Sequence, residues 1–270
     1  MRMRSRAVVG KGASVRLASL CWLLAPFTAL FGIWAAVVAL TDTPMRVFPQ
    51  VNDVARALTE MWASGALATH LGASLERVAI GCLLAVVTAL PFGIALGSSA
   101  RLSGFFAPLL RFSVGLAGIA WIPLATLWLG YGNGAVIFIV WNSMFFALTY
   151  NTVLGVRRIP TELLRAARSM GTSTPRMFLE VLLPGAMPSI VTGLRVGLGY
   201  GWRGLVAAEI IATQAGLGYS LFLARKYFET GVIIGVMIII GLLWLAMDRL
   251  LLAPLERRTT ERWGMKAVTL

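Results

Sequence analysis

The stretch Arg165-Ala-Ala-Arg-Ser-Met-Gly171, followed by Val181-Leu-Leu-Pro184, decides how the fold of this chain is predicted. It is a short, basic, helix-forming interval between two long apolar segments, which run over about 134–154 and 186–212. A loop that only joined two membrane helices could be brief and featureless. The length and polarity of this interval therefore predict structure outside a bilayer, in contact with another molecule.

The composition predicts a membrane protein. Hydrophobic residues make up 58% of the 270 residues, charged residues make up only 13%, and the mean hydropathy is +0.81, whereas soluble domains carry about 25% charge. The net charge of +13 could suggest a nucleic-acid partner. The basic residues lie in the tails and between apolar segments, however, as the positive-inside rule predicts. We therefore exclude nucleic acid and expect membrane lipid as a partner.

Several windows reach the roughly 20 apolar residues that cross a hydrocarbon core of about 30 Å. The first could instead be a cleaved signal peptide, but it is long for one and no clear small-x-small cleavage site closes it. The second and fifth windows are rich in Gly and Ala, which let membrane helices approach closely. We predict an all-α membrane protein with six transmembrane helices over about 17–40, 73–97, 105–129, 134–154, 186–212 and 231–253.

The Lys and Arg residues predict the orientation. They concentrate in the N-terminal tail 1–16, in the interval 155–184 and in the C-terminal tail 254–270. Loops rich in Lys and Arg remain in the cytoplasm. We therefore predict that both tails and the interval are cytoplasmic, that 17–253 forms one transmembrane domain, and that 41–72 lies outside.

The outside segment contains an amphipathic helix by its periodicity. One interpretation is a helix that lies on the membrane surface or against the bundle, and the other is a docking surface for an extracytoplasmic partner. The apolar residues that recur at helical spacing are Val51, Val54, Ala55, Leu58, Met61 and Trp62.

The cytoplasmic interval is predicted to fold as a helical hairpin. Gly171 ends the first helix, and Thr172-Ser173-Thr174-Pro175 begins the second with a Ser/Thr cap and an early proline. Pro184 and Pro188 then mark the start of the fifth span. The apolar positions of the two helices are Leu163, Leu164, Ala167, Met170, Met177, Phe178, Val181 and Leu182.

The chain lacks the motifs of the common enzyme classes. There is no G-x-x-x-x-G-K-[ST] phosphate loop, no HExxH, no CxxC pair and no GxSxG. His70 is the only histidine, and carboxylates are sparse. We therefore predict a chain that is not an enzyme, with no catalytic residues, no metal site and no cofactor of its own.

Ionisable side chains within spans are costly and usually face protein or water. Arg195, Trp202 and Glu209 are spaced by seven in the fifth span and so share one helical face. The guanidinium fork of the neighbouring Arg203, in the outer half of the span, suits an anionic group. We take these four residues, with Trp121, as candidates for a substrate pathway. The alternatives are that Arg195 and Glu209 cap or pair within the bundle, and that Arg203 reaches the outer headgroups.

The opening stretch resembles the EAA loop of bacterial ABC importer permeases, whose pattern reads EAA-x3-G-x9-I-x-LP. Arg165-Ala166-Ala167, Gly171 and Val181-x-Leu183-Pro184 match its spacing throughout. Arg165 stands where the family has glutamate, and Val181 stands where it has isoleucine.

Further motifs over about 45–255 resemble the nitrate, sulfonate and taurine permease subfamily. One departure is Gly115-Leu-Ala-Gly118, where relatives often have a proline-rich stretch. The matching motifs are Ala73-Ser-Leu-Glu-Arg-Val78, Gly93-Ile-Ala-Leu-Gly97, Ala120-Trp-Ile-Pro-Leu124, Leu127-Trp-Leu-Gly130, Thr192-Gly-Leu-Arg195 and Gly201-Trp202 with Leu205-Val-Ala-Ala-Glu209.

The resemblance implies a type I, binding-protein-dependent importer permease in the bacterial inner membrane. Two copies would form the pathway, and a periplasmic binding protein would deliver the substrate. Two ATPase subunits, which would bind ATP and Mg, would contact the cytoplasmic hairpins. The residues implied in that contact are Leu163, Leu164, Arg165, Ala166, Ala167, Met170, Gly171, Phe178, Leu183 and Pro184.

The cargo implied by this subfamily is a small anion such as an aliphatic sulfonate, taurine or nitrate. The same machinery could instead carry a pyrimidine-type vitamin precursor or an aromatic acid. A stand-alone secondary transporter or channel is an alternative from another class; it would need a coupling-ion site or a selectivity constriction within the spans.

Overall fold

The computed structural model describes residues 25–26, 28–38, 40 and 48–260, and this part of the chain contains helices and no strand. A short π-helical turn, Met177–Leu182, joins α8 to α9, and another, Asp248–Leu252, joins α11 to α12. The helices are α1 Thr28–Val38, α2 Val51–Ala63, α3 Ala66–Ser98, α4 Ala100–Gly115, α5 Ile122–Leu129, α6 Asn133–Arg157, α7 Thr161–Ser169, α8 Thr174–Arg176, α9 Leu183–Ala212, α10 Leu217–Lys226, α11 Thr230–Met247 and α12 Ala253–Thr260.

Four helical stretches of the described residues are long and apolar enough to cross a membrane. They are Ala66–Ser98, Asn133–Arg157, Thr174–Ala212 and Thr230–Glu256. The all-α membrane architecture is therefore confirmed. The tail 1–16 lies outside the described residues, and the described part of the first predicted span, 17–40, contains α1.

The third predicted span, 105–129, is wrong as a single helix. The chain bends by 94° between α4 and the stretch Gly118–Leu129. Leu116 and Ala117 are extended at the bend, with ψ of 115° and 135°, and Gly115 and Gly118 flank them. Glycine is about 1 kcal/mol less favourable than alanine in a helix, so the helix breaks where two glycines lie close together.

Helix α6 lies at the centre of the bundle between α3 and α9, and small residues make this packing possible. A methyl group added at Gly81 of α3 would lie 2.6 Å from Val140 Cγ1 of α6. The same group at Gly201 of α9 would lie 2.7 Å from Met144 Cγ. The predicted close approach of the glycine-rich second and fifth spans is thus confirmed, and it follows the small-xxx-small pattern of membrane helices.

The amphipathic helix predicted in 41–72 is confirmed as α2. Its start is capped, because the backbone N–H of Gln50 donates to the Asp53 carboxylate at 3.0 Å. Val54 is buried, and Leu58 packs against Gly235 of α11, where an added methyl group would lie 2.8 Å from Leu58 Cδ2. The helix therefore packs against the bundle, with Trp62 exposed at its end.

Candidate functional site

The basic interval folds as the predicted helical hairpin. Helix α7 has Glu162 in its first turn and Arg168 in its last, which complements the helix dipole. It ends at Gly171, whose φ of 77° is left-handed, and the Thr172 N–H donates to the Ala167 carbonyl at 3.2 Å. Only glycine adopts this conformation without strain. The sharp turn predicted at Gly171 is therefore present.

The second arm of the hairpin is continuous with the fifth span, whose start was predicted at Pro184 and Pro188. Helix α8 passes through the π-helical turn into α9, so that one helical stretch runs from Thr174 to Ala212 over 39 residues. Pro184 lies in the first turn of α9, and Pro188 lies inside it. The π-helical turn changes the hydrogen-bond register beside these prolines, and membrane helices tolerate such residues.

The apolar residues of α7 divide into a buried stripe and an exposed stripe. Ala167 is 6% exposed and belongs to a core cluster with Met177 and Leu182, against which Leu164 and Phe178 pack. Ala167 therefore faces the rest of this chain. Leu164, Phe178, Leu183 and Pro184 are half-buried.

The neighbouring stripe of α7 is exposed. Leu163 is 56% exposed and Met170 is 78% exposed, and Ala166 lies between them on the same side of α7. Arg165 and Gly171 are also exposed. Large apolar side chains held outside a bundle, on a short basic hairpin, form a surface that fits another protein.

A cavity of about 340 Å³ lies where α6 and α9 meet the bend between α4 and α5. Arg203 of α9 lines it and is exposed, and it forms no ion pair or hydrogen bond with any residue that the structure describes. Asn142 and Ser143 line the cavity from α6. Gly115–Gly118, the stretch that differs from the proline-rich pattern of relatives, lines it from the bend. The cavity therefore carries one free positive charge.

The other pathway candidates do not join Arg203 in this cavity. Trp202 is 5% exposed and belongs to the central core cluster. Trp121 is half-buried, and its ring lies 6.4 Å from the ring of Phe138. The spacing of seven does bring Trp202 and Glu209 to one buried face, but that face packs against protein instead of lining a pathway.

Glu209 is fully buried in an ion pair with Arg77, which confirms the alternative that it pairs within the bundle. Its Oε1 lies 2.7 Å from Arg77 Nη1, its carboxylate also accepts from Ser74 Oγ, and the Gly218 N–H donates to Oε2 at 2.9 Å. Arg77 was not among the residues that the sequence singled out, and this pairing was not predicted. The available signal was that the second predicted span contains a basic residue, Arg77, and the fifth contains an acidic one, Glu209, and charges within spans usually pair.

Arg77 also secures the loop that follows α9. Its Nη1 donates to the Ala215 carbonyl at 2.7 Å, and its Nη2 donates to Thr213 Oγ1 at 3.1 Å. The Gly216 N–H donates to His70 Nδ1 at 3.2 Å. The ion pair therefore fixes the connection between α9 and α10 onto α3.

Arg195 pairs within the bundle as well. Its Nε and Nη2 each donate to the Asp248 carboxylate at 2.8 Å, and its Nη1 contacts Glu256. These contacts tie α9 to the last helical segment. Arg195 is thus engaged with two carboxylates and is not a free cation for a cargo. The described residues contain no group of three or more His, Cys, Asp and Glu side chains that could hold a metal.

Comparison with known proteins places this fold in a transport family. Residues 89–253 match the family model described as binding-protein-dependent transport system inner membrane component. The chain is 33% identical to the taurine transport system permease protein TauC of Escherichia coli (strain K12), over 87% of each chain. It is also 33% identical to SsuC of the same organism, a permease named for aliphatic sulfonates transport, over 90% of this chain and 94% of that one.

Among solved structures, the fold is similar to an inward-facing conformation of the MetNI methionine ABC transporter. The TM-score is 0.61 at 21% identity, over 75% of this chain and 98% of that chain. This likeness supports the type I permease fold. The family match and the curated relatives agree, and the chain belongs to the binding-protein-dependent inner membrane components, as an ABC importer permease and not as an enzyme.

Proposed function

We propose that two copies of this chain form the pathway of an ATP-driven importer for a small anion such as an aliphatic sulfonate, taurine or nitrate. Two ATPase subunits, which bind ATP and Mg, contact the hairpins from the cytoplasm. A periplasmic binding protein delivers the cargo from the other side. Both termini of the permease lie in the cytoplasm, on the side of the basic hairpin.

The observation that carries this proposal is the exposed apolar stripe of α7. Leu163 and Met170 are mostly exposed on a short helix between two membrane-spanning helices. Arg165 and Arg168 are exposed on the other sides of the same helix. An exposed apolar stripe on a short basic hairpin fits an apolar groove on a partner protein.

The hairpin is mechanically joined to the cavity. The stretch Thr174–Ala212 carries the second hairpin arm at one end and Arg203 near the other. Its 39 residues span about 58 Å at 1.5 Å per residue. Closure of the ATPase subunits would therefore displace one continuous helix that also lines the cavity, which is the rigid-body reorientation that alternating access needs.

The support for an anionic cargo is the free charge of Arg203, together with the cargos in the names of TauC and SsuC. An arginine without a carboxylate partner at membrane depth is costly unless water or an anion meets it. The guanidinium fork can bond two oxygens of one oxoanion.

The test is the assembled complex of permease, ATPase subunits and binding protein in nanodiscs. Met170→Glu and Leu163→Glu should lower the ATPase activity that loaded binding protein stimulates by at least about tenfold, because a charge in the apolar contact is desolvated without a partner. Ser169→Glu, which adds the same charge about 100° around α7, serves as the matched control. Full stimulation in Met170→Glu would refute the assignment of the hairpin.

A further inference from the structure

Asn142 and Ser143 present hydrogen-bonding groups in the Arg203 cavity that have no partner in the described part of the chain. The Ser143 Oγ is buried and unbonded, and the Asn142 side chain, 6% exposed, forms no hydrogen bond with a described residue. A buried polar group that is left unpaired costs about 1–3 kcal/mol. Such groups are rare in native proteins and often mark a place where a ligand binds.

The two groups belong to the same surface as Arg203. Asn142 and Ser143 are consecutive on α6, and Arg203 lies on the facing α9, with all three lining the one cavity. Two glycines leave room for the hydroxyl: a methyl group at Gly118 would overlap Ser143 Oγ, and one at Gly204 would lie 3.0 Å from it. The hydroxyl, the amide and the guanidinium thus form a set of donors for one oxoanion.

The charge of the cavity limits what can bind. Among the described residues that line the cavity, Arg203 is the single charged one, and none is a carboxylate. One monovalent anion would neutralise this charge. An ammonium group on the same molecule would lie near the like charge of Arg203, with no described carboxylate in the lining to pair with, and like charges placed close together are unfavourable.

The size and the walls of the cavity favour an organic anion. Its volume of about 340 Å³ is small for a ligand site, since such sites measure about 300–1,000 Å³. Apolar side chains form much of the wall, namely Val114, Leu116, Ile119 and Phe146. An alkyl group can bury apolar area against these side chains, whereas nitrate has no such group.

We propose that Asn142, Ser143 and Arg203 form a binding site within the permease for an alkanesulfonate that carries no amino group. The sulfonate oxygens accept from the three side chains, and the alkyl group packs against the apolar wall. The inference rests on the proposed function and narrows its cargo class. A site of this kind would let the permease itself discriminate between cargos, after the binding protein has done so.

The experiment uses the permease with its ATPase subunits in nanodiscs, without binding protein. Binding of ethanesulfonate, taurine and nitrate is measured by saturation-transfer NMR and by competition in the unmodified complex, which needs no variant. Ethanesulfonate should bind at least about tenfold more tightly than either of the other probes, which corresponds to about 1.4 kcal/mol. Equal or tighter binding of taurine would overturn the proposal.

Variants then test the named residues. Arg203→Gln and Ser143→Ala should each weaken ethanesulfonate binding by about tenfold or more, whereas Ser98→Ala should not, because the Ser98 hydroxyl bonds the Ile94 carbonyl outside the cavity. Unchanged affinity in Arg203→Gln would overturn the site. If hairpin variants uncouple the ATPase while no sulfonate binds the cavity, the inference fails and the proposed function stands. A permease that binds no ATPase would fail the proposed function itself.

Discussion

Arg77 and Glu209 form a buried ion pair with 2.7 Å between Nη1 and Oε1, and their side chains are 4% and 0% exposed. The pair joins α3 to the C-terminal end of α9, and the surrounding hydrogen bonds reach the loop that follows. Such a pair is well satisfied, since Ser74 and the Gly218 N–H occupy the remaining acceptor sites of the carboxylate. The loss of folding stability on replacing the pair therefore depends on whether one partner or both are replaced.

We predict that Arg77→Met or Glu209→Leu alone destabilises the purified permease by about 3–5 kcal/mol, because each change leaves an unpaired buried charge. The double variant should recover most of that loss. Thermal unfolding of the chain in detergent measures all three variants. Single variants that unfold at the wild-type temperature would show that the pair carries no such energy.

Gly171 provides a prediction about backbone conformation. Nothing lies within 4 Å of an added methyl group there, so a substitution acts through its φ of 77° alone. Gly171→Val should cost about 1–2 kcal/mol of local strain and collapse the stimulated ATPase activity of the complex while membrane insertion survives. Gly171→Asn is the matched control, because asparagine tolerates this conformation. Normal coupling in Gly171→Val would contradict the hairpin's role.

Gly201 provides a prediction about helix packing. A methyl group there would lie 2.7 Å from Met144 Cγ. We expect Gly201→Leu to separate α6 from α9 and to lower stability by about 1–3 kcal/mol or more. Gly72→Leu serves as the control, since open space surrounds Gly72. The readout is the unfolding temperature, and equal temperatures for the two variants would contradict the close packing.

Arg203 and Arg195 provide a prediction about transport. Arg203 is free in the cavity, whereas Arg195 is engaged by Asp248 and Glu256. Arg203→Ala should lower sulfonate uptake into proteoliposomes by about tenfold or more without reducing assembly with the ATPase, because a charge-assisted bond to the cargo is lost. Arg195→Ala should leave the KM of uptake unchanged. Uptake that is indifferent to Arg203→Ala would place that side chain among the outer headgroups.

The sequence supported the hairpin well, because its determinants are local. Helical periodicity identified α7, and the glycine at 171 predicted the turn that its positive φ now shows. The same periodicity could not tell which stripe faces the bundle. Leu163 and Leu164 look alike in sequence, and only the packing of α7 on the neighbouring cluster makes the first exposed and the second half-buried.

The third span shows why local hydrophobicity misleads. The window 105–129 is apolar enough to cross a bilayer, yet the chain bends by 94° within it. The bend is stable because Gly118 lies against Ser143 of α6, and hydropathy contains no information about that contact. The cavity beside the bend was therefore beyond sequence reasoning, although Arg203 itself had been identified.

The sequence by itself determined the helical membrane architecture, the basic hairpin and the family, because apolar length, periodicity and motif spacing are properties of short stretches. The tertiary structure alone decided which charged side chains within the spans form ion pairs and which one has no partner among the described residues. Glu209 meets Arg77 across 132 residues, and Arg195 meets Asp248 across 53. Arg203 has no partner among the described residues because α6 and the bend of the third span present only neutral groups to it. Charge pairing between distant helices depends on how they pack, and packing is a property of the folded chain.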